Sequence, residues 1–326
     1  MEKPLAALTG ATGFLGRHVA EALAGAGWRL RALSRGSQVP DSLSHLQPEV
    51  VAGRLADPAA LEQLVEGAQA VIHIAGLIKA RRPAELMVAN ADGARTVALA
   101  ADRRAPDARF VLVSSLSART PVSAYGASKA AGEAAVREVL GADRITIVRP
   151  PAIYGPGDLE TLALFQAAQI MPFLPRVGPE AARFAVIHAS DAAGQIAAAA
   201  AGSGRGGVWS LADRRPEGYG WRELLLTAAA AVGRRPAILP LPRALVLGLG
   251  EANTLLGRLG APVQILSNGK ARELLYPDWG VASEELLPDG PPIRFDLTSG
   301  FADVVDWYRA HGWLKGQTVL TASPQA

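Results

Sequence analysis

The sequence predicts an α/β protein built on a doubly wound parallel sheet, with a second, smaller region interleaved toward the C-terminal half. Short apolar runs, PLAALT, WRLRALS, EVVA, AVIHIA, RFVLVS and RITIVR, alternate with longer segments whose apolar residues recur at three- and four-residue spacing. Strands covered by helices on both faces have this composition, because neither face meets water. A glycine-rich turn, TGATGFLG, stands between the first such run and the first helical pattern. The chain is also long enough, at 326 residues and 49% hydrophobic, to bury roughly three quarters of its unfolded surface.

In the first helix Leu15, Val19, Leu23 and Ala26 fall near one face, and Gly27 ends it. The strand-helix register then repeats to about residue 155. Beyond Gly155 the order changes: Pro156, Pro172, Pro175 and Pro179 break a loop-and-helix segment, and AVIHA and VWSLA return to strand character. From Tyr219 the pattern is helical, interrupted by Pro236, Pro240, Pro242 and Pro262, and it closes on WYRAHGWL before a polar TASPQA. The expected division is residues 1–155 plus about 185–215 for the first unit, about 156–184 plus 216–318 for the second, and a disordered tail at 319–326.

Composition removes several classes of function. Thirty-three basic residues against 30 acidic ones, scattered singly and in pairs, contain no nucleic-acid-binding tail, so no nucleic-acid partner is expected. The absence of cysteine excludes disulfides, a thiolate nucleophile and thiolate metal sites. Neither a leader-like segment nor an apolar stretch of ~18 residues is present, and the expectation is a cytoplasmic protein. Mean hydropathy is nevertheless positive while aromatics supply only 6% of residues, so Ala, Leu and Val carry the apolarity. Apolar surface for a lipid or a partner follows, which leaves open peripheral contact at the inner face of the membrane and a homodimer.

Two groups of residues point to chemistry. Gly10, Gly13 and Gly16 lie at a strand-to-helix turn, where a side chain would obstruct the turn at the first position, the approach of a diphosphate at the second and helix-strand packing at the third. The N–H groups at the helix start would then face that diphosphate. Tyr125 and Lys129, in AYGASKAAGE, share one helix face at i and i+4, so the ammonium is expected beside the phenol. A free phenol titrates near pH ~10, and a nearby positive charge that favours phenolate makes it a usable acid/base.

Together with VIHIAG, VSSLS and RPPAIYGPGD, these segments resemble the extended short-chain dehydrogenase/reductase superfamily over residues 1 to about 215. The later WRELLLTAAAAVGRRP, LYPDWGV and WYRAHGWL resemble its 3β-hydroxysteroid dehydrogenase-like branch, with ceramide-type (3-oxo-sphingolipid) reductases and sterol dehydrogenases as analogies. The resemblance implies a Rossmann sheet binding NAD(P), and a smaller C-terminal region for substrate. It implies Tyr125 as catalytic acid/base, Lys129 as the holder of the nicotinamide ribose, and Ser115 as the hydrogen-bond donor to the substrate oxygen. Ser114 and Ser117 compete with Ser115 for that place. Thr12, Phe14 and Leu15 complete the cofactor turn, with Leu55 at the adenine end, Ala75 and Gly76 after the fourth strand and Pro150 and Ile153 after the sixth. Asn90 is either a relay residue toward the lysine or a structural amide.

At the tip of the second strand stand Ser34 and Arg35, and no acid lies between Glu21 and Asp41. An arginine fork matches a 2′-phosphate, so NADP is favoured over NAD. The five histidines have no metal-ligand spacing and no metal is expected; His73 reads as a core histidine. For substrate, the resemblance implies that nucleotide-sugar enzymes carry a polar anchor where this chain has Ala152, and segments 161–174 and 237–259 are apolar. A hydrophobic small-molecule ketone or alcohol, lipid-like, is the expected substrate. A nucleotide-sugar epimerase or dehydratase and a non-catalytic cofactor-binding assembly subunit stay as alternatives, as does the reading of the apolar segments as ordinary core.

Overall fold

The computed structural model describes residues 3–259 and 266–316. Its elements in chain order are β1 (Leu5–Thr9), α1 (Phe14–Gly25), β2 (Arg29–Ser34), β3 (Glu49–Ala52), α2 (Pro58–Val65), β4 (Ala70–His73), α3 (Pro83–Met87), α4 (Gly93–Arg104), β5 (Arg109–Val113), α5 (Ala124–Val139) and β6 (Ile145–Arg149). There follow β7 (Ala152–Tyr154), α6 (Leu162–Ile170), β8 (Phe173–Arg176), β9 (Arg183–Phe184), β10 (Val186–His188), α7 (Ala189–Ala201), β11 (Val208–Ser210), α8 (Trp221–Ala231) and β12 (Ala237–Pro240). The last are α9 (Arg243–Arg258), α10 (Asn268–Leu275), β13 (Asp278–Trp279) and α11 (Leu297–Ala310).

Seven strands form one parallel sheet in the order β11-β6-β5-β4-β1-β2-β3, so the chain reverses direction across the sheet between β1 and β4. Ligand crevices of doubly wound sheets open at that point. Each apolar run named from the sequence became a strand, and AVIHA and VWSLA became β10 and β11. Side chains alternate between two cores: Ala6 and Leu8 join α1 and α7 on one face, Leu5 and Ala7 join α2, α4 and α5 on the other. In α1, Val19 and Leu23 are buried, and the chain leaves it through Gly27 with φ of +86°.

A third core holds Phe165, Leu174, Phe184, Leu225, Trp279, Phe301 and Tyr308 from the later elements. We propose that the three cores mark the two units expected from the sequence; the tail at 319–326 lies outside the described residues. Three short parallel pairs, β7 with β10, β8 with β12 and β9 with β13, surround the third core. Segment 161–174 contributes Phe165, Ala168 and Leu174 to it, as a core segment would, whereas α9 buries only Val246, Gly250 and Gly257. Among the described residues no helix is long and apolar enough to cross a membrane.

Helix α5 is seated by charge as well as packing. Arg149, at the end of β6, donates Nε and Nη2 to the two oxygens of buried Glu133 at 2.8 and 2.6 Å, and Ser114 donates to the same carboxylate at 2.6 Å. Breaking a buried pair strands the remaining charge, which is costly. Glu133→Gln is therefore expected to lose about 3 kcal/mol of stability, read as a lower urea midpoint at unchanged slope. An unaltered midpoint would show that Arg149 finds water or another acceptor at no cost.

Candidate active site

At the head of α1, Gly10 has φ of +77°, and a Cβ there would stand 2.6 Å from the backbone nitrogen of Ala75. A Cβ at Gly16 would overlap the Gly10 carbonyl oxygen. Gly13 is different: it is exposed, and an added Cβ would meet only the Gly10 oxygen, at 3.3 Å. The polypeptide itself asks little of Gly13, so its bare backbone keeps open the outer side of the turn, where Thr12 is also exposed. No side chain caps α1, and its first N–H groups are available to an acceptor there. These features fit a diphosphate. Phe14 and Leu15 are half-buried behind the turn.

The far end of the crevice is basic. Arg35 is exposed beyond β2, and the Gly53 N–H donates to the Ser34 carbonyl at 2.8 Å, which brings exposed Arg54 to the same strand ends. Neither arginine forms an ion pair among the described residues. Asp57 is engaged elsewhere, accepting the Ala60 N–H at 3.2 Å as the cap of α2. Leu55 is half-buried against the start of α4 at Gly93. Arg54 escaped the sequence reading because its proximity to Arg35 depends on the β2-β3 pairing.

At the crevice floor, Ser115 ends the β5 segment and opens a short helical turn over Leu116–Ala118, accepting the Ser117 N–H at 3.2 Å. Its side chain lies close enough to the Tyr125 phenol to act on its ionisation. Ser114 points the other way, to Glu133. Close approach makes the Ser115 contact possible: a Cβ at Gly126 would stand 2.5 Å from the Ser117 carbonyl. Burial pushes the Tyr125 phenol up to about 12, and the charge of Glu273 adds to the rise while Ser115 opposes it. Lys129 is buried too and donates Nζ to the Val113 carbonyl at 2.7 Å; burial lowers it to about 8, with Glu133 opposing.

The expected pairing of ammonium with phenol is thus corrected. Lys129 bonds the Val113 carbonyl with Glu133 nearby, and the phenol, with Ser115 and Glu273 acting on it, stays protonated at neutral pH. Pro150 is buried with its carbonyl tied to the Leu116 N–H at 2.8 Å, and Ile153 is half-buried beside β10.

Asn90 lies in a π-helical turn over Val88–Asp92 between α3 and α4. Its Oδ1 accepts the Leu77 N–H at 2.8 Å, and its Nδ2 donates to the Leu77 carbonyl at 2.9 Å and to Ser128 Oγ at 2.8 Å. The amide is fully engaged in holding the loop after β4 to α5. That loop carries Gly76, where a Cβ would lie 4.0 Å from Lys129 Nζ. Glu273, on α10, accepts from Ser123 Oγ at 2.6 Å, and Ser123 is the cap of α5. Sequence reasoning missed Glu273, since no local signal marks it. Among the described residues no three His, Asp or Glu side chains could hold a metal ion.

A glycine cradle at a helix head, a half-buried serine and tyrosine and a buried lysine thus meet where a doubly wound sheet reverses. The chain belongs to the NAD dependent epimerase/dehydratase family, whose model matches residues 6–211. It is an NAD(P)-dependent oxidoreductase. It is 48% identical to the ceramide reductase of Caulobacter vibrioides over 94% of this chain and 95% of that one. Its fold is similar to the crystal structure of gox2253, at TM-score 0.74 and 22% identity, covering 96% of this chain and all of the other, 100%. The UDP-N-acetylglucosamine 4-epimerase of Bacillus cereus shares the fold at TM-score 0.67 and 18% identity, over 94% and 97% of the two chains.

His73, under this floor, is in hydrogen-bond contact with Thr9 Oγ1 at 2.7 Å through Nδ1. Burial, helped by the Lys129 charge, lowers it to about 3. Between pH 6.5 and 3 the unfolded chain binds a proton at His73 that the folded chain refuses. Stability must fall with pH in that window, by about 1.4 kcal/mol per unit for one such proton. His73→Gln should flatten the acid side of a plot of unfolding free energy against pH, and parallel profiles for the two proteins would refute the assignment.

Proposed function

We propose that this protein interconverts a ketone and a secondary alcohol on a hydrophobic, lipid-like substrate of the 3-oxo-sphingolipid kind, with NADP as cofactor. The observation that carries the reading is a buried polar floor beneath an apolar mouth. Leu77 and Ile78, 43% and 58% exposed, follow Gly76, where a Cβ would lie 4.0 Å from Lys129 Nζ. Lys79 ion-pairs with Glu160 at 2.9 Å, which links that loop to the one carrying exposed Leu159. Ala152, exposed at the start of β7, offers no polar anchor for a nucleotide diphosphate. The likeness to a relative named for reducing ceramide supports the same substrate class.

In this reading the turn at Gly10, Gly13 and Gly16 holds the cofactor diphosphate, Arg35 and Arg54 the 2′-phosphate, and Lys129 the nicotinamide ribose. When bound, the nicotinamide supplies or accepts the hydride. Tyr125, protonated at neutral pH, gives its proton to the carbonyl oxygen, and Ser115 donates the hydrogen bond that orients that oxygen. An apolar mouth favours each buried methylene by ~0.8 kcal/mol, so chain length should tune the Michaelis constant.

The test is an assay with NADPH against 3-oxo lipids of increasing chain length and against UDP- and dTDP-sugars. Turnover of the lipids, tighter for longer chains and lowered ~10²-fold or more in Tyr125→Phe with cofactor binding kept, is expected. Turnover of nucleotide sugars alone, or indifference to chain length, would overturn it.

The cofactor preference is tested separately by binding. NADPH should bind more tightly than NADH, and Arg35→Asp should weaken NADPH by one to two decades, since a charge-assisted bond contributes ~1.5–3 kcal/mol. Adding Arg54→Asp should move the preference further toward NADH. Equal dissociation constants for both cofactors in the parent protein would exclude the 2′-phosphate role.

A further inference from the structure

We propose that the outer face of α9, with the arginines around it, is a docking surface for an anionic lipid bilayer. Val246 and Gly250 turn inward, and α9 packs on α10 through Gly250 and Ala271. On the opposite side stand Leu245, Leu249, Leu256 and, just past the helix end, Leu259, with Leu255 beside them, all between 46% and 76% exposed. Steps of four, seven and three residues align these leucines in one stripe. Three residues before the cap of α9, Leu239 is exposed on β12; Phe173, opposite Ala237 in the same ribbon, and Ile170 at the end of α6 are exposed as well. Exposed apolar side chains gathered in this number mark a contact site.

The charges indicate what covers it. Arg234 and Arg235 line a cleft with Met171 and Pro172, next in sequence to Phe173. Arg243 opens α9 and Arg258 closes it. None of these four forms an ion pair among the described residues, whereas Arg31, Arg144 and Arg149 each face a carboxylate. The period of α9 turns Arg243 and Arg258 away from its leucine stripe, so the cations that complement phosphate headgroups over acyl chains are Arg234 and Arg235, beside the exposed Phe173 and Ile170. Residues 317–326 contain no acidic side chain to neutralise them.

The inference rests on the lipid reading for its purpose. Helix α10 joins the docking face to the floor of the site, through Glu273 and Ser123 and through Gly269, whose Cβ would lie 3.3 Å from that of Ser123. A lipid leaving the bilayer at α9 would have one helix layer to pass.

Cosedimentation of the full chain with vesicles tests the surface without needing turnover. Binding is expected to phosphatidylcholine vesicles containing phosphatidylglycerol, not to phosphatidylcholine alone, and should weaken with added salt. Leu249→Glu with Leu256→Glu should lower it by more than about tenfold, and Arg234→Gln with Arg235→Gln by about fivefold for each arginine. Thermal melting and NADPH affinity should be unchanged in both variants. The proposal is overturned if the anionic vesicles do not bind, if the leucine variant binds as the parent does, or if the parent is a lipid-free dimer that this variant makes monomeric. Vesicle binding by a protein that reduces no lipid would keep the docking surface and discard the substrate.

Discussion

Glu133 sits one turn beyond Lys129 on the buried face of α5, and its two oxygens are held by the guanidinium of Arg149 from β6. Because an uncompensated charge there would be expensive, this pair fixes how far α5 advances along the sheet. Tyr125 is thereby placed against Ser115 and Lys129 against the Val113 carbonyl. At the helix start Ser123 reaches Glu273, so the later elements are keyed to the same helix. The polar floor is a consequence of how one helix is anchored at both ends.

Much of that floor is withdrawn from water, which decides its protonation. Desolvation keeps the phenol of Tyr125 protonated, weakens the hold of Lys129 on its proton and leaves His73 neutral beneath them. A phenol that stays protonated at neutral pH keeps a proton available for donation. Leu77, Ile78 and Leu159 are exposed on the loops that follow β4 and β7, so apolar surface lies close to this polar floor. At the other end the uncapped head of α1 and the exposed Arg35 and Arg54 attract phosphate oxygens. The two halves of the crevice thus differ sharply in polarity.

Much of this was legible in the chain. The strands could be read because a strand covered on both faces leaves an uninterrupted apolar run, and the glycine turn because its steric demands are met within a few residues. The i, i+4 spacing put Tyr125 and Lys129 on one helix face, since that follows from the helix alone. Tertiary structure decided their partners: Lys129 bonds Val113 rather than sitting on the phenol, and of three neighbouring serines Ser115 meets Tyr125 while Ser114 turns to Glu133. Strand-end geometry, invisible to spacing, sorts adjacent hydroxyls. Glu273 lies 150 residues from Ser123, and Arg54 meets Arg35 only through strand pairing. The composition of segment 237–259 showed that it is apolar but not whether anything inside the protein covers it. Local periodicity is a property of the backbone and is written in the sequence; which faces are buried, and which charges find partners, depends on elements brought together from far along the chain.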